Sequence, residues 1–316
     1  MELVILFLGI IGTQLIHCTW ETGGDSLLCL ILANNLGRGL LFILITFLGY
    51  WVSKHVDYIK RILISLITIY STGFILNMAM EVVLGKTLGI KNIISQFVRG
   101  TPGNIWIIYG LIVFCVLIAI YKRINNPKIK QAIKLIGGGY SIVALCLFCY
   151  ANTYSGIVSF DNGFILNVFY RVLGTNRSPY ILGLPFMIFG GYLSTSDKHY
   201  ALLKNKIYVP IVLFIMWCAE VIFMYVRTGN INIHMTFFGI LFVASIFSFI
   251  KNYFDDAIDF NIYIMSILLF AIQYSTTQMC FALFDIETLP MRLMFFVVYI
   301  FFIITIFVIC NRRKNV

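Results

Sequence analysis

The chain has 316 residues, of which 60% are hydrophobic and 11% are charged, with a mean hydropathy of +0.94 and a formal net charge of +10. A soluble domain carries about 25% charged residues, so this composition excludes an ordinary soluble fold and predicts a polytopic membrane protein. In such a protein an excess of lysine and arginine is first a signal of orientation, and we do not take it to indicate nucleic-acid binding.

Apolar runs of membrane-spanning length follow one another along the whole chain, separated by short polar loops. Lipid offers no hydrogen-bonding partners to an open strand, so each run predicts a transmembrane helix. The first run lacks a basic flank and a small-x-small cleavage site, and it is therefore expected to be a retained span. The ten predicted spans are 3–20, 36–53, 62–84, 104–121, 132–151, 178–195, 207–226, 234–250, 259–280 and 290–310.

The fold class predicted from this pattern is all-α: a polytopic bundle of about ten transmembrane helices that forms a single membrane-embedded domain over residues 1–316. Lysine and arginine divide unevenly between the loops on alternate sides, with 15 in one set and 8 in the other. The more basic set, to which the C-terminal tail belongs, is expected to face the cytoplasm. Because the number of spans is even, both termini are predicted to be cytoplasmic in a multi-pass protein of the cell membrane.

His17 stands near the end of the first span, and Glu21 follows it by four residues. Residues four apart share one face of a helix, so the carboxylate can approach the imidazole and fix its tautomer. Such a pair is suited to general-base catalysis, and an ionisable residue within a span is a candidate for function. The residues alone leave open a second interpretation, in which His17 is a structural histidine, hydrogen-bonded within the bundle or wetted at the interface.

Arginine predominates among the basic residues of the loops assigned to the outer side, and Arg38, Arg177 and Arg292 lie at predicted helix ends. A planar guanidinium suits carboxylate or phosphate binding, although snorkelling or pairing with nearby acids is the alternative.

The chain shows no clustered set of metal ligands, so no metal is predicted. Cys146 and Cys149 are interpreted as small apolar side chains one turn apart.

Four segments of the chain follow one known pattern in the same order. They are LGRGLLFILITFLGYWVS (36–53), YIKRILIS (58–65), GNIWIIYGLIVF (103–114) and NRSPYILGLPFMIFGGYLS (176–194). Together they resemble the acyltransferase-3 family of polytopic membrane O-acyltransferases over residues 1 to about 195. In this resemblance His17 falls at the family's essential first-span histidine. Relatives in that family include the membrane domain of vancomycin-resistance serine racemases and biofilm-polysaccharide modification proteins.

The resemblance implies an enzyme that transfers an acyl group, acetyl or succinyl, from cytoplasmic acyl-CoA to a hydroxyl of an extracytoplasmic glycan or cell-wall polymer. Acetyl-CoA is the expected co-substrate. His17 is then expected to be the general base, with Glu21 orienting it. Arg38 and Arg177 are expected to hold an anionic acceptor or the oxyanion, and Trp106 is expected to bind the acceptor.

The predicted donor site lies at the entry to the third span. Lys60 and Arg61 stand there as positive charges on the side assigned to the cytoplasm, and they suit the phosphates of CoA. Elsewhere the chain departs from the family pattern at several positions. The first residues read MELV where the family usually carries an Arg and an Asp, and Gly39-Leu40 stand in place of a Pro.

The residues keep two other functions open. A non-catalytic transporter or exporter of surface polysaccharide on the same scaffold is favoured by helix-breaking residues inside predicted spans, because broken helices are common in transporters. Close helix packing through small residues is the alternative explanation of these positions. A sensor or partner subunit that has lost catalysis is the third hypothesis. The helix-breaking residues are Gly137, Gly138, Gly139, Gly183, Pro185, Gly190 and Gly191.

Overall fold

Helices account for every regular element in the part of the chain that the structure describes, and no strand occurs there. The computed structural model describes residues 2–20, 27–83, 85, 89–99, 105–149, 179–195, 206–229, 233, 236–254 and 260–312. The prediction of an all-α fold is confirmed for these residues.

The helices are named here in chain order, with π marking wider π-helical segments. They are α1 (Glu2–Trp20), α2 (Leu27–Leu30), π1 (Ile31–Gly37), α3 (Arg38–Lys54), α4 (Ile59–Val83), α5 (Ile90–Arg99), α6 (Ile105–Arg123), α7 (Pro127–Cys149), π2 (Pro179–Gly183), α8 (Leu184–Thr195), α9 (Tyr208–Thr228), α10 (Phe237–Ile250), α11 (Phe260–Leu283) and α12 (Leu289–Arg312). Short 3-10 turns follow α3 and α10, at Val56–Tyr58 and Lys251–Tyr253.

Within the described ranges, six helical stretches are long and apolar enough to cross a membrane. A seventh is added if the two halves of α11, which bend by 42° between Gln273 and Ser275, form one span. The prediction of a helical membrane protein is confirmed to this extent. The count of about ten spans and the cytoplasmic placement of the termini stay predictions, since α8 and α10 are only 12 and 14 residues long.

Helices α1 and α3 run antiparallel and pack closely at glycines. Gly9 faces Leu44 and Gly12 faces Leu40, so rising residue numbers in α1 meet falling numbers in α3. A Cβ added at Gly9 would lie 2.5 Å from the Leu44 Cβ, and one added at Gly12 would lie 2.6 Å from the Leu40 Cβ. Small residues at a membrane helix interface allow backbones to approach in this way. The end of α1 therefore lies beside the start of α3.

The two ends of the bundle differ in charge. The basic end contains the α3–α4 turn and the α6–α7 link, with Lys54, Lys60, Arg61, Lys122 and Arg123. There the Lys122 ammonium donates a hydrogen bond to the Asp57 carboxylate, and this contact holds the pKa of Asp57 below its usual range. We call the opposite end, where α1 finishes and α3 begins, the His17 end.

Helix α3 is the centre of the bundle, and residues 41–52 are all buried. It packs against α1 on one side and against α8 on another. The contact with α8 is closest at Gly49, which faces the Met187 backbone, and at Gly190, which faces the Thr46 carbonyl oxygen. In both places an added Cβ would lie well inside van der Waals distance of the partner backbone. These contacts fix the position of α3, whose first residue belongs to the site described below.

Candidate functional site

His17 lies in the last turn of α1, on the face that looks toward the centre of the bundle. Leu6, Ile10 and Thr13 precede it by eleven, seven and four residues, a spacing that places the four side chains on one helix face. Leu6 and Ile10 line a small central space together with residues of α3, α6 and α11. The ring of His17 is half-buried and its Nε2 atom is shielded from solvent. His17 is therefore directed toward the protein interior rather than toward lipid.

The rotation of α1 that aims His17 inward is held by hydrogen bonds to α11. The Oε1 atom of Gln14 accepts hydrogen bonds from Gln273 Nε2 and from Thr277 Oγ1, each at 2.9 Å. Gln273 Nε2 also donates to the backbone oxygen of Ile10 at 3.0 Å. All three polar side chains are buried, where hydrogen bonding offsets the cost of removing them from water. Together they tie the C-terminal half of α1 to α11.

Arg38, the first residue of α3, is a buried cation with an exposed fraction of 4%. Its guanidinium donates hydrogen bonds to the side-chain oxygen of Asn34, in π1, and to the backbone oxygen of Ile233, between α9 and α10. A guanidinium within a membrane bundle is costly unless such acceptors surround it. Arg38 therefore links three parts of the chain at the His17 end.

Arg38 and His17 lie beside the same helix contact. A Cβ added at Gly37 would lie 2.7 Å from Ile16 Cγ1 and 2.9 Å from the backbone oxygen of Gly12. Arg38 follows Gly37 in the chain, and His17 follows Ile16. The structure thus brings these two predicted site residues to one end of the bundle and to one pair of packed segments.

Two asparagines at this site were not singled out in the sequence analysis. Asn34 and Asn35 are buried, with exposed fractions of 1% and 0%, and they lie within the π-helical segment. The Asn35 amide makes no hydrogen bond within the described part of the chain. The sequence could have indicated them, because two adjacent amides stand in an otherwise apolar run. Burying an amide in lipid is costly unless it forms hydrogen bonds. We call His17, Asn34, Asn35 and Arg38 the candidate site.

Trp106 lies in the first turn of α6, buried against π2. An added Cβ at Gly183, the last residue of π2, would lie 3.4 Å from the Trp106 ring at Cζ3. The ring belongs to the hydrophobic core and also lies against the backbone of π2, and its role in acceptor binding stays a prediction. Glu21 and Arg177 fall outside the described residues, so the pairing of Glu21 with His17 and the part assigned to Arg177 also stay predictions.

The predicted donor residues stand at the basic end. Lys60 and Arg61 are exposed in the first turn of α4. The Arg61 guanidinium lies 4.2 Å from the centroid of the Phe260 ring at the start of α11, a cation–π contact. Helix α3 has 17 residues, which at 1.5 Å per residue corresponds to about 25 Å. Lys60 and Arg61 therefore lie at the opposite end of the bundle from His17 and Arg38.

Apolar side chains fill the interval between those ends. The central space measures about 10 Å³ and is lined by Leu44 and Leu48 of α3, Ile107 of α6, and Ile267 and Phe270 of α11, among others. A site needs about 10–15 Å³ to accommodate one water molecule. This space, as the described residues enclose it, has no room for an acyl group.

The sequence predicts no metal site, and Cys146 and Cys149 are interpreted as packing residues. Cys146 is exposed and Cys149 is buried on α7, so the two thiols lie in different surroundings. No group of three His, Cys, Asp or Glu side chains in the described ranges is placed to hold a metal ion.

Comparison of the chain with protein-family models, with curated proteins and with solved structures finds no match. The resemblance to the acyltransferase-3 family therefore depends on the ordered motifs of the sequence, and the function has to be argued from the site.

Proposed function

We propose that the chain is a membrane O-acyltransferase. It moves an acetyl or succinyl group from acyl-CoA, most simply acetyl-CoA, to a hydroxyl of an extracytoplasmic glycan or cell-wall polymer. The observation that carries the proposal is the shielded Nε2 atom of His17 at the end of the bundle that also holds the buried Arg38. A shielded imidazole can act as a general base, and a fixed cation at the same end can bind an anionic group.

In the proposed reaction, His17 accepts the proton of the acceptor hydroxyl as its oxygen attacks the thioester carbonyl carbon. The tetrahedral intermediate collapses, the carbon–sulfur bond breaks, and the CoA thiolate takes the proton back from the imidazolium. Arg38 stabilises the oxyanion or binds an anionic acceptor. Glu21, within four residues of His17, is the proposed orienting carboxylate. Arg177 is proposed to act with Arg38, and Trp106 is proposed to bind the acceptor.

The proposal places the bundle in the cell membrane with about ten spans and with the basic end in the cytoplasm. Lys60 and Arg61 would then meet CoA from that side. The central space is too small for an acyl group, so we propose that side chains or helices there move apart before the acyl group reaches His17. Gating of this kind is a common part of catalysis.

A polysaccharide exporter on the same scaffold is the second candidate. The observation that favours it is the presence of two π-helical segments, π1 and π2, at the candidate site and beside Trp106. Interrupted helices near a polar site are typical of transporters. Gly190 and Gly191 do not add to this argument, since both lie in the continuous helix α8 and face close neighbours.

The test is acyl transfer in isolated membranes supplied with acetyl-CoA or succinyl-CoA labelled on the acyl group. We expect label to enter glycan with the natural chain and to fall about 100-fold or more with His17→Ala, the usual loss of a general base. His55→Ala is the matched control, because His55 lies at the basic end, stacked on Trp51. Absence of labelled glycan from the natural chain with both donors would reject the enzyme and favour the exporter.

A further inference from the structure

A second cavity, far larger than the central one, opens between α6, α7 and α8 at the basic end. Its volume is about 630 Å³, within the range of about 300–1,000 Å³ typical of small-molecule sites. Helices α6 and α7 are joined by the short link 124–126, but α6 packs mainly on α4 and α7 packs mainly on α8. The cavity is the space left between them.

The wall of this cavity is apolar along most of its length. Leu117, Ile120, Ile133 and Ile136 line it and are also exposed at the surface of the bundle, with exposed fractions from 37% to 69%. Gly137 lines the same wall and leaves it wide, since a Cβ added there would stay 3.7 Å from its nearest neighbours. Such a surface suits an alkyl chain and offers little to the polar nucleotide of CoA.

Lysines stand at one end of the cavity only. Lys122, Lys130 and Lys134 line it, and the 122–149 stretch contains no acidic residue. Lys122 is paired with Asp57 of the α3–α4 turn. Lys130 and Lys134 are one helical turn apart on α7, and the Lys130 ammonium lies 5.5 Å from the centroid of the Tyr121 ring. The two α7 lysines thus give the mouth of an apolar cavity a positive charge.

The length of the cavity matches one leaflet of a bilayer. Along α7 it reaches from Lys130 to Tyr140, and ten residues at 1.5 Å per residue correspond to about 15 Å. The hydrocarbon core of a bilayer is about 30 Å thick, so this is about half of it. Basic pockets between transmembrane helices recognise anionic lipid head groups.

We propose that this cavity binds an anionic phospholipid from the leaflet at the basic end. One acyl chain lies between α6, α7 and α8, and the phosphate is held by Lys130 and Lys134. The proposal does not depend on the acyltransferase function, because none of the residues that line this cavity belongs to the candidate site.

The test uses the purified full chain in bilayer discs of phosphatidylcholine that contain phosphatidylglycerol as a minor component. The measurement is the ratio of the two lipids retained by the protein after transfer to detergent, read by native mass spectrometry. We expect phosphatidylglycerol to be enriched over its share in the disc. The double variant Lys130→Gln/Lys134→Gln should lose this enrichment, by about fivefold for each lysine removed.

The matched control is Arg123→Gln/Lys128→Gln, which removes two charges from the same segment but none from the cavity wall. Equal loss of enrichment in the two double variants would overturn the proposal in favour of a diffuse surface charge. Equal retention of both lipids by the natural chain would overturn it outright. Release of the bound lipid by micromolar acetyl-CoA would overturn it as well, because the cavity would then be a donor site.

A second pair of variants tests the cavity without changing charge. Gly137→Leu fills the space between α7 and α8 and should abolish retention of the lipid. Gly139→Leu makes the same change on the same helix at a position with no neighbour within 4 Å, outside the cavity wall, and should retain it. If both leucine variants retain the lipid, the acyl chain does not lie in this cavity.

Discussion

At the scale of single residues, several polar side chains at the His17 end are held by specific contacts. Arg38 donates to Asn34 and to the Ile233 carbonyl, 195 residues away in the chain. Gln14 and Gln273 hold the rotation of α1, and with it the direction of His17. Each buried polar group is costly in an apolar environment, so these contacts are what allow the candidate site to exist.

A prediction at this scale concerns Arg38. Replacement by methionine removes two hydrogen bonds from a charged donor, each contributing about 1.5–3 kcal/mol, and leaves the Asn34 and Ile233 oxygens buried. We expect Arg38→Met to lower the free energy of unfolding by about 3 kcal/mol, measured by thermal or denaturant unfolding in detergent. Arg227→Met is the control, since Arg227 is exposed at the end of α9, and its effect should stay within about 0.5 kcal/mol. Equal effects would show that the Arg38 contacts contribute no stability.

At the scale of helices, glycines decide how closely α3 approaches its neighbours. Gly9 and Gly12 let α1 lie against α3, and Gly49 and Gly190 let α8 do the same. Without a hydrophobic driving force between helices in lipid, such close contacts supply much of the association energy. The packing of α3 in turn places Arg38, because that residue begins the same helix.

The prediction for the helices is that Gly190→Ala destabilises the bundle. Its methyl group would collide with the Thr46 carbonyl oxygen, so α3 and α8 would have to separate, and overpacking of this kind costs about 1–3 kcal/mol. Gly139→Ala is the control, since nothing lies within 4 Å of its added Cβ and alanine favours a helix by about 0.5–1 kcal/mol. Thermal unfolding of the two variants in one detergent gives the comparison. A Gly190→Ala protein as stable as Gly139→Ala would contradict the close contact.

At the scale of the whole molecule, the two ends have different chemistry. The basic end carries exposed lysines, the Lys122–Asp57 pair and the large cavity, whereas the His17 end carries the buried candidate site. About 25 Å of α3 lies between them, and the space at the centre beside Leu44, Leu48 and Phe270 measures about 10 Å³. A reaction that joins a donor at one end to an acceptor at the other through this space requires motion there.

The prediction for the whole molecule concerns its direction in the membrane. Lysine-rich ends face the cytoplasm, so Lys60→Cys should react with a membrane-impermeant maleimide only after cells are permeabilised. Arg227→Cys, near the His17 end, should react in intact cells. The unsubstituted chain measures the labelling of the native cysteines and is subtracted. The reverse pattern would place the basic end outside and remove the cytoplasmic donor site from the proposed function.

The sequence by itself determined that this chain is a helical membrane protein with a basic end, because apolar runs of spanning length and the backbone's need for internal hydrogen bonds in lipid favour helices. It also indicated His17 and Arg38, since ionisable groups in apolar runs are conspicuous. Only the tertiary structure decided which way His17 points, which acceptors hold Arg38, and that Asn35 is fully buried. Helices that are apolar on every face carry no periodic signal for the buried side, so their rotation and partners follow from glycine contacts and from hydrogen bonds between distant residues. The small central space and the lysine-lined cavity are products of that packing.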